Sequence, residues 1–377
     1  MIGGIRCGKT TALASLFEQI KNGIARDYFV VTDATLELYN GQWIGRSLAD
    51  KILELQNFME TNRNNSNLFV LDTSPNHCFN EYSLRLTEPG RISRKIDIEF
   101  TDTAGSFWGV HDSELEEKVK EHDVIVIGID TPYLMGSVGE DTKDLCPEYI
   151  NLAVNKEREI QNLLTCIHDE EKAKMVVFVP LKCEKWAKEP DGLSRVNERV
   201  KEVYATLITN LSAYSKMNIS IIPMQSIGNI IFSEFQKAYI YNDINGRPHR
   251  CCMIDDEIIR IENGEYIIPK QGETITENPE AIIAGTHLSR PYAWYQINPY
   301  DSRYAPKNCD QLLFHILRFI VYAYAVGEKE KYKFPSILPP RNKYQNWIGS
   351  YDYEVLKNIV GRLVVDKDDG IEIIRNF

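Results

Sequence analysis

Gly3, Gly8, Lys9 and Thr10 stand at the spacing of a phosphate-binding loop, G-x-x-x-x-G-K-[ST], written in this chain as GGIRCGKT. In such a loop the backbone N–H groups converge on phosphate oxygens. The helix that follows adds the positive end of its dipole. This chemistry assigns Lys9 to the β- and γ-phosphates and the Thr10 hydroxyl to Mg²⁺. Thr11, next in the chain, joins the candidate nucleotide contacts. The structural alternative is a Gly-rich turn that only caps a helix.

A second set of residues stands where the first demands one. IDIEFTDTAG reads as an alternating apolar strand ending in Asp102, followed by Thr103, Ala104 and Gly105. A carboxylate at the end of a buried strand can hold Mg²⁺ through water. A glycine just beyond can turn its N–H toward a γ-phosphate. Lys9, Asp102 and Gly105 are thus the candidate catalytic residues, and Thr10 and Asp102 candidate metal ligands. The bland reading of D-x-x-G alone is an ordinary strand-end turn.

These residues need rigid elements behind them. TTALASLFEQI carries Leu13, Leu16, Phe17 and Ile20 at helical spacing, with Gly23 as the stop. QWIGRSLADKILELQNFME places Ile44, Leu48, Ile52, Leu55 and Met59 on one helical face. YSLRLTE and KIDIEFTD alternate with period two around the turn PGRIS, and read as neighbouring strands. Residues 123–130, 175–182 and 219–226 are continuous apolar runs, as expected of a parallel sheet covered on both faces. Between them 151–171 and 196–215 each read as one helix. This alternation predicts an α/β fold of three layers with a mostly parallel sheet.

After Phe232 the pattern changes. EIIRIENGEYIIP reads as a hairpin turning at Asn263 and Gly264, within a β-rich insertion. The expected organisation is a nucleotide-binding core over 1–232, the insertion over 233–300, and a helix over 301–328 packing back on the core. A C-terminal extension over 329–377, with a short helix and a strand IEIIRNF, completes it.

DTAG after a strand resembles the third motif of Ras-like and translation-factor-class GTPases. Order and spacing resemble the large bacterial proteins called double-GTPases, found in multi-gene conflict systems. The resemblance runs from Gly3 to Gly228 and implies the P-loop NTPase fold, with GTP or GDP and Mg²⁺ as ligands. It implies a switch that hydrolyses GTP to GDP and phosphate, and a protein partner from the same system. The fourth motif, N/T-K-x-D, aligns with LKCE: Lys182 matches the lysine, Glu184 replaces the aspartate that accepts from guanine, and Leu181 replaces Asn or Thr. Ser226 stands for the fifth motif, against the base. Thr73 is the best-placed Mg²⁺ ligand of the first switch, with Thr32 and Thr35 as alternatives. Where Ras-like proteins carry a water-orienting Gln, this chain has Ser106, followed by Phe107 and Trp108, which implies slow hydrolysis. Arg6, inside the loop, could reach transition-state charge, although a solvent-facing arginine is the simpler reading. The rivals are an ATPase of the same fold and a non-hydrolysing scaffold derived from a GTPase.

A net charge of −11 over 377 residues argues against a general nucleic-acid binder. The eight cysteines show no CxxC pair, so neither a zinc site nor a disulfide framework is indicated. No apolar run approaches the ~20 residues of a membrane span, and no signal peptide opens the chain, so the expected location is cytoplasmic. Only Met1 and Ile2 precede Gly3, whereas strands run to about five or six residues. In this fold the strand before the loop lies between those ending in Asp102 and Asp130. The expectation is therefore a natural start upstream of Met1. The rival is a true start with a poorly anchored loop.

Overall fold

A computed structural model describes residues 1–4, 7–33, 37–39, 42–44, 47–62, 79–103, 112–165, 167, 173–236, 239–242, 248–254, 257–262, 265–267, 274–276, 291–298, 300–333, 351–364 and 370–376. β1 (Ile2–Gly3) leads through the glycine-rich loop to α1 (Lys9–Asn22), which stops at Gly23. β2 (Val30–Asp33), β3 (Glu37–Tyr39) and β4 (Gln42–Ile44) precede α2 (Leu48–Thr61). β5 (Phe79–Glu88) and β6 (Arg91–Thr103) form the hairpin expected around Gly90, and α3 (Asp112–Glu121) follows. Then come β7 (Val124–Asp130), α4 (Thr131–Gly136), α5 (Glu148–Asn155), α6 (Glu157–Leu164) and β8 (Lys174–Leu181). α7 (Gly192–Val203), α8 (Ala205–Ser212) and β9 (Met217–Ile221) end the alternating part. Seven strands follow: β10 (Ile230–Gln236), β11 (Tyr239–Asn242), β12 (Pro248–Ile254), β13 (Glu257–Glu262), β14 (Glu265–Ile267), β15 (Thr274–Thr276) and β16 (Tyr292–Ile297). α9 (Cys309–Lys333), α10 (Tyr353–Leu363) and β17 (Glu372–Arg375) close the chain.

The fold is α/β. Its main sheet has five strands in the order β1-β7-β8-β9-β17, parallel except for β17. The apolar runs explain why it is parallel. Met175, Val177 and Val179 of β8 face one hydrophobic cluster, with Leu13 and Leu16 of α1 and Leu313 and Leu317 of α9. Val176 and Phe178 face the other, with Ile125 and Ile127 of β7 and residues of α5 to α8. A strand buried on both faces needs apolar residues at every position.

A second sheet, β2-β5-β6, is antiparallel. The chain's first residues join the two sheets. The Thr103 N–H donates to the Met1 carbonyl at 3.0 Å, and the Met1 amine donates to the Thr101 carbonyl. Ile2 and Gly3 pair with Ile127 and Gly128 of β7. Residues 1–3 thus occupy the position between the Asp102 and Asp130 strands that the sequence reading judges Met1 and Ile2 too short to fill.

Three helical expectations are corrected. Residues 151–171 do not form one helix: α5 and α6 meet at Lys156, whose φ is 57°. Residues 196–215 also divide, at Tyr204. Ile44 lies in β4 and not on the α2 face. The regular part of β9 ends at Ile221, short of the expected Ser226, although the Ile222 and Met224 N–H groups still donate to the Phe178 and Pro180 carbonyls of β8 at 2.9 and 2.8 Å.

The β-rich region holds an antiparallel sheet, β14-β13-β12-β11-β15, and a ribbon of β10 with β16. The Glu262–Glu265 pairing brackets the expected turn, whose residues Asn263 and Gly264 lie outside the described residues. The Gln19 Oε1 accepts from the Cys309 and Asp310 N–H groups at 2.7 and 3.2 Å, so a side chain of α1 caps α9. No helix among the described residues is long and apolar enough to cross a membrane.

Candidate functional site

The carboxyl ends of β1, β6, β7 and β8 converge around the loop before α1. Two glycines permit its path. Gly3 lies so close to β7 that a Cβ there would stand 2.4 Å from the Gly128 carbonyl oxygen. Gly8, with φ 102°, takes the left-handed conformation that L side chains rarely adopt. Lys9 is buried: its Nζ folds back to donate to the Gly4 and Gly3 carbonyls at 3.0 and 3.3 Å. The ammonium is thus held over the loop's own backbone.

Thr10 and Asp102 meet across 92 residues of sequence, the threonine hydroxyl donating to Asp102 Oδ2 at 2.5 Å. Asp102 is buried, and its Oδ1 has no hydrogen-bond partner. A buried carboxylate oxygen without a donor is costly unless something else supplies positive charge. A hydroxyl and a carboxylate with a spare oxygen fit Mg²⁺, which takes oxygen ligands, with one or two carboxylates and the rest from phosphate and water. Among the described residues, no group of three or more His, Cys, Asp or Glu could hold a metal by itself. Thr11 is half-buried, its carbonyl accepting from Ser15 Oγ at 2.8 Å.

The residues expected at the base divide. Lys182, with φ 62°, sends its Nζ to Asp130 Oδ2 at 2.6 Å. Burial works against its charge, but the Asp130 carboxylate outweighs that and holds the Lys182 pKa above the ordinary lysine value. Its Cε passes 3.8 Å from where a Cβ on Gly8 would stand, so this side chain lies beside the glycine-rich loop. Glu184 is buried rather than presented at the surface. Its Oε1 accepts from the Ile227 and Gly228 N–H groups at 3.0 and 3.2 Å, which pins the turn after Ser226. Burial raises its pKa, and those two N–H groups counter only part of the rise. The Ser226 carbonyl lies 2.5 Å from Ser15 Oγ, which ties this turn to α1, while the Ser226 hydroxyl is buried without a partner.

Thr32 is exposed on β2, opposite Arg85, which pairs with Asp97 on β6. Gly105, Thr73, Thr35, Arg6, Ser106, Phe107 and Trp108 lie outside the described residues.

Asp130 and Tyr295 are missed by the sequence reading. Asp130 ends a buried apolar strand just as Asp102 does, and that shared signal could have marked it. Nothing local marks Tyr295, which reaches Lys182 only because Tyr295 pairs with Phe232 in the ribbon. No protein-family model matches the chain, and no match is found among curated proteins or solved structures.

Proposed function

We propose that this chain is a nucleoside-triphosphate-binding switch of the P-loop GTPase class, a slow GTPase with Mg²⁺ as cofactor. The observation that carries the reading is the meeting of Thr10 with Asp102 beside the buried Lys9. A loop glycine in the left-handed conformation, a lysine folded over it, and a hydroxyl facing a strand-end carboxylate are what binding a metal–phosphate group requires. The strand order supports the same reading. An antiparallel pair, β5 and β6, adjoins β1, β7, β8 and β9, and the glycine-rich turn follows β1 at the switch in strand order.

In this proposal Lys9 binds and neutralises the β- and γ-phosphates, turning from the Gly3 and Gly4 carbonyls to the ligand. Thr10 and Asp102 would hold Mg²⁺, which when bound would supply positive charge against the charge that develops on phosphoryl transfer to water. The loop N–H groups orient the phosphate chain, and Gly105 reads the γ-phosphate. Slow turnover is expected because Ser106 offers no amide where a Gln would orient water.

Guanine is the proposed base. Lys182 and Glu184 stand at the end of β8, and the Ser226 turn is fastened to Glu184. The inward Glu184 carboxylate favours a second reading in which base selectivity is weak and ATP also binds. Titrating GTP and ATP into the parent and Lys9→Ala tests both. The expected result is GTP binding that weakens about 10- to 150-fold in Lys9→Ala, the range for losing a charged hydrogen bond. Equal affinity in parent and variant contradicts the site. ATP binding at least as tight as GTP contradicts guanine selectivity.

A further inference from the structure

The β-rich region touches the candidate site through Tyr295. This residue is buried, and its ring centroid lies 5.6 Å from Lys182 Nζ, within reach of cation–π attraction. The same Nζ is 2.6 Å from Asp130 Oδ2. The lysine stem meanwhile runs past Gly8 of the phosphate loop. Asp130 is itself fixed: Asn155 Oδ1 accepts from its N–H at 2.7 Å, and Asn155 Nδ2 donates to its carbonyl at 3.3 Å. The Lys182 backbone sits in a left-handed conformation that a lysine holds only where its surroundings enforce it.

Tyr295 is carried by a ribbon with its own attachment to the core. Tyr133 of α4, three residues beyond Asp130, donates its hydroxyl to the Pro291 carbonyl at 2.7 Å. Its ring lies 5.0 Å from that of Phe235 on β10. The two ribbon strands also bracket β11 to β15 in the chain.

We propose that Tyr295 is a positioning residue: with Asp130 it fixes Lys182 against the phosphate loop, so the ribbon sets how tightly the loop retains nucleotide. This inference rests on the nucleotide reading above and extends it to regulation from the β-rich region.

The test uses the full chain and follows release of a fluorescent GDP analogue from parent, Tyr295→Leu, Tyr295→Phe, Lys182→Met and the Tyr295→Leu/Lys182→Met pair. Thermal melts run alongside. Tyr295→Leu should speed release about tenfold, within the usual range of coupling between sites. Tyr295→Phe, which keeps the ring, should restore parental release. In the Lys182→Met background Tyr295→Leu should add nothing to release, although both backgrounds lose thermal stability. If Lys182→Met retains too little nucleotide to follow, Lys182→Gln, which also removes the ammonium, serves as the background. An equal acceleration with and without Lys182 makes Tyr295 merely structural and overturns the inference, as does unchanged release in Tyr295→Leu. A parent that binds no nucleotide overturns the nucleotide reading and this inference with it. Binding with an uncoupled Tyr295 overturns this inference alone.

Discussion

At the scale of single residues, the candidate site is built from buried charges that have partners or lack them. Asp130 and Lys182 form a buried pair, with the two side chains 2 % and 14 % exposed. Removing one member leaves the other charge uncompensated, at a cost of about 3–5 kcal/mol. Asp130→Asn should therefore melt well below the parent. Because the Lys182 pKa is raised, its contribution is complete below the ordinary value of 10.5 and is lost only as pH climbs through the higher folded value. The melting difference between parent and Asp130→Asn should accordingly stay constant through neutral pH. A difference that vanishes there contradicts the pairing. Glu184 follows the same sign at a lower pH. Burial raises its pKa above the ordinary 4.5, so the folded state holds its proton more tightly. Its contribution is greatest below 4.5 and declines as pH rises through the raised value. Glu184→Gln keeps an Oε1 acceptor for the Ile227 and Gly228 N–H groups and removes the buried charge. It should melt above the parent at neutral pH, with the gain shrinking in acid. A variant that melts lower at every pH would show that the charge itself holds the turn.

At the scale of elements, the sequence reading succeeded where patterns were local. The apolar runs over β7 and β8, the hairpin around Gly90 and α1 ending at Gly23 follow from adjacent residues alone. It failed where a chain break is set by tertiary packing. Lys156 interrupts a helical stretch without a glycine or proline to announce it. A left-handed lysine costs about 1–2 kcal/mol. Glycine removes that cost but adds chain entropy in the unfolded state and loses a partly exposed pair with Glu159. Lys156→Gly should thus gain about 0.5–1 kcal/mol net, read by chemical denaturation. A loss of stability would mean that the Lys156 side chain does more than cap α5. The site was legible in the same uneven way. Lys9, Thr10 and Asp102 announce themselves by motif and strand end. The inward turn of Glu184 depends on where the Ile227–Gly228 turn falls, which spacing along β8 does not encode.

At the scale of the whole molecule, distant segments are fastened to the first helix. Gln19 of α1 caps α9, and Ser15 lies 2.6 Å from the Tyr304 hydroxyl. β17 adds the last strand to the sheet that β1 begins. Gln19→Ala should lower stability by about 1 kcal/mol, as for a lost helix cap, measured by thermal melting. The loop before α1 therefore sits on a scaffold built from distant segments, as the proposed phosphate site needs. The most direct test of that site is the metal dependence of triphosphate binding. GTP affinity is measured by titration calorimetry, with Mg²⁺ and with a chelator, for parent and Thr10→Ala. The account predicts that Mg²⁺ tightens GTP binding to the parent and that Thr10→Ala loses most of this gain. GTP binding that ignores Mg²⁺, or a Mg²⁺ gain left intact in Thr10→Ala, would contradict it.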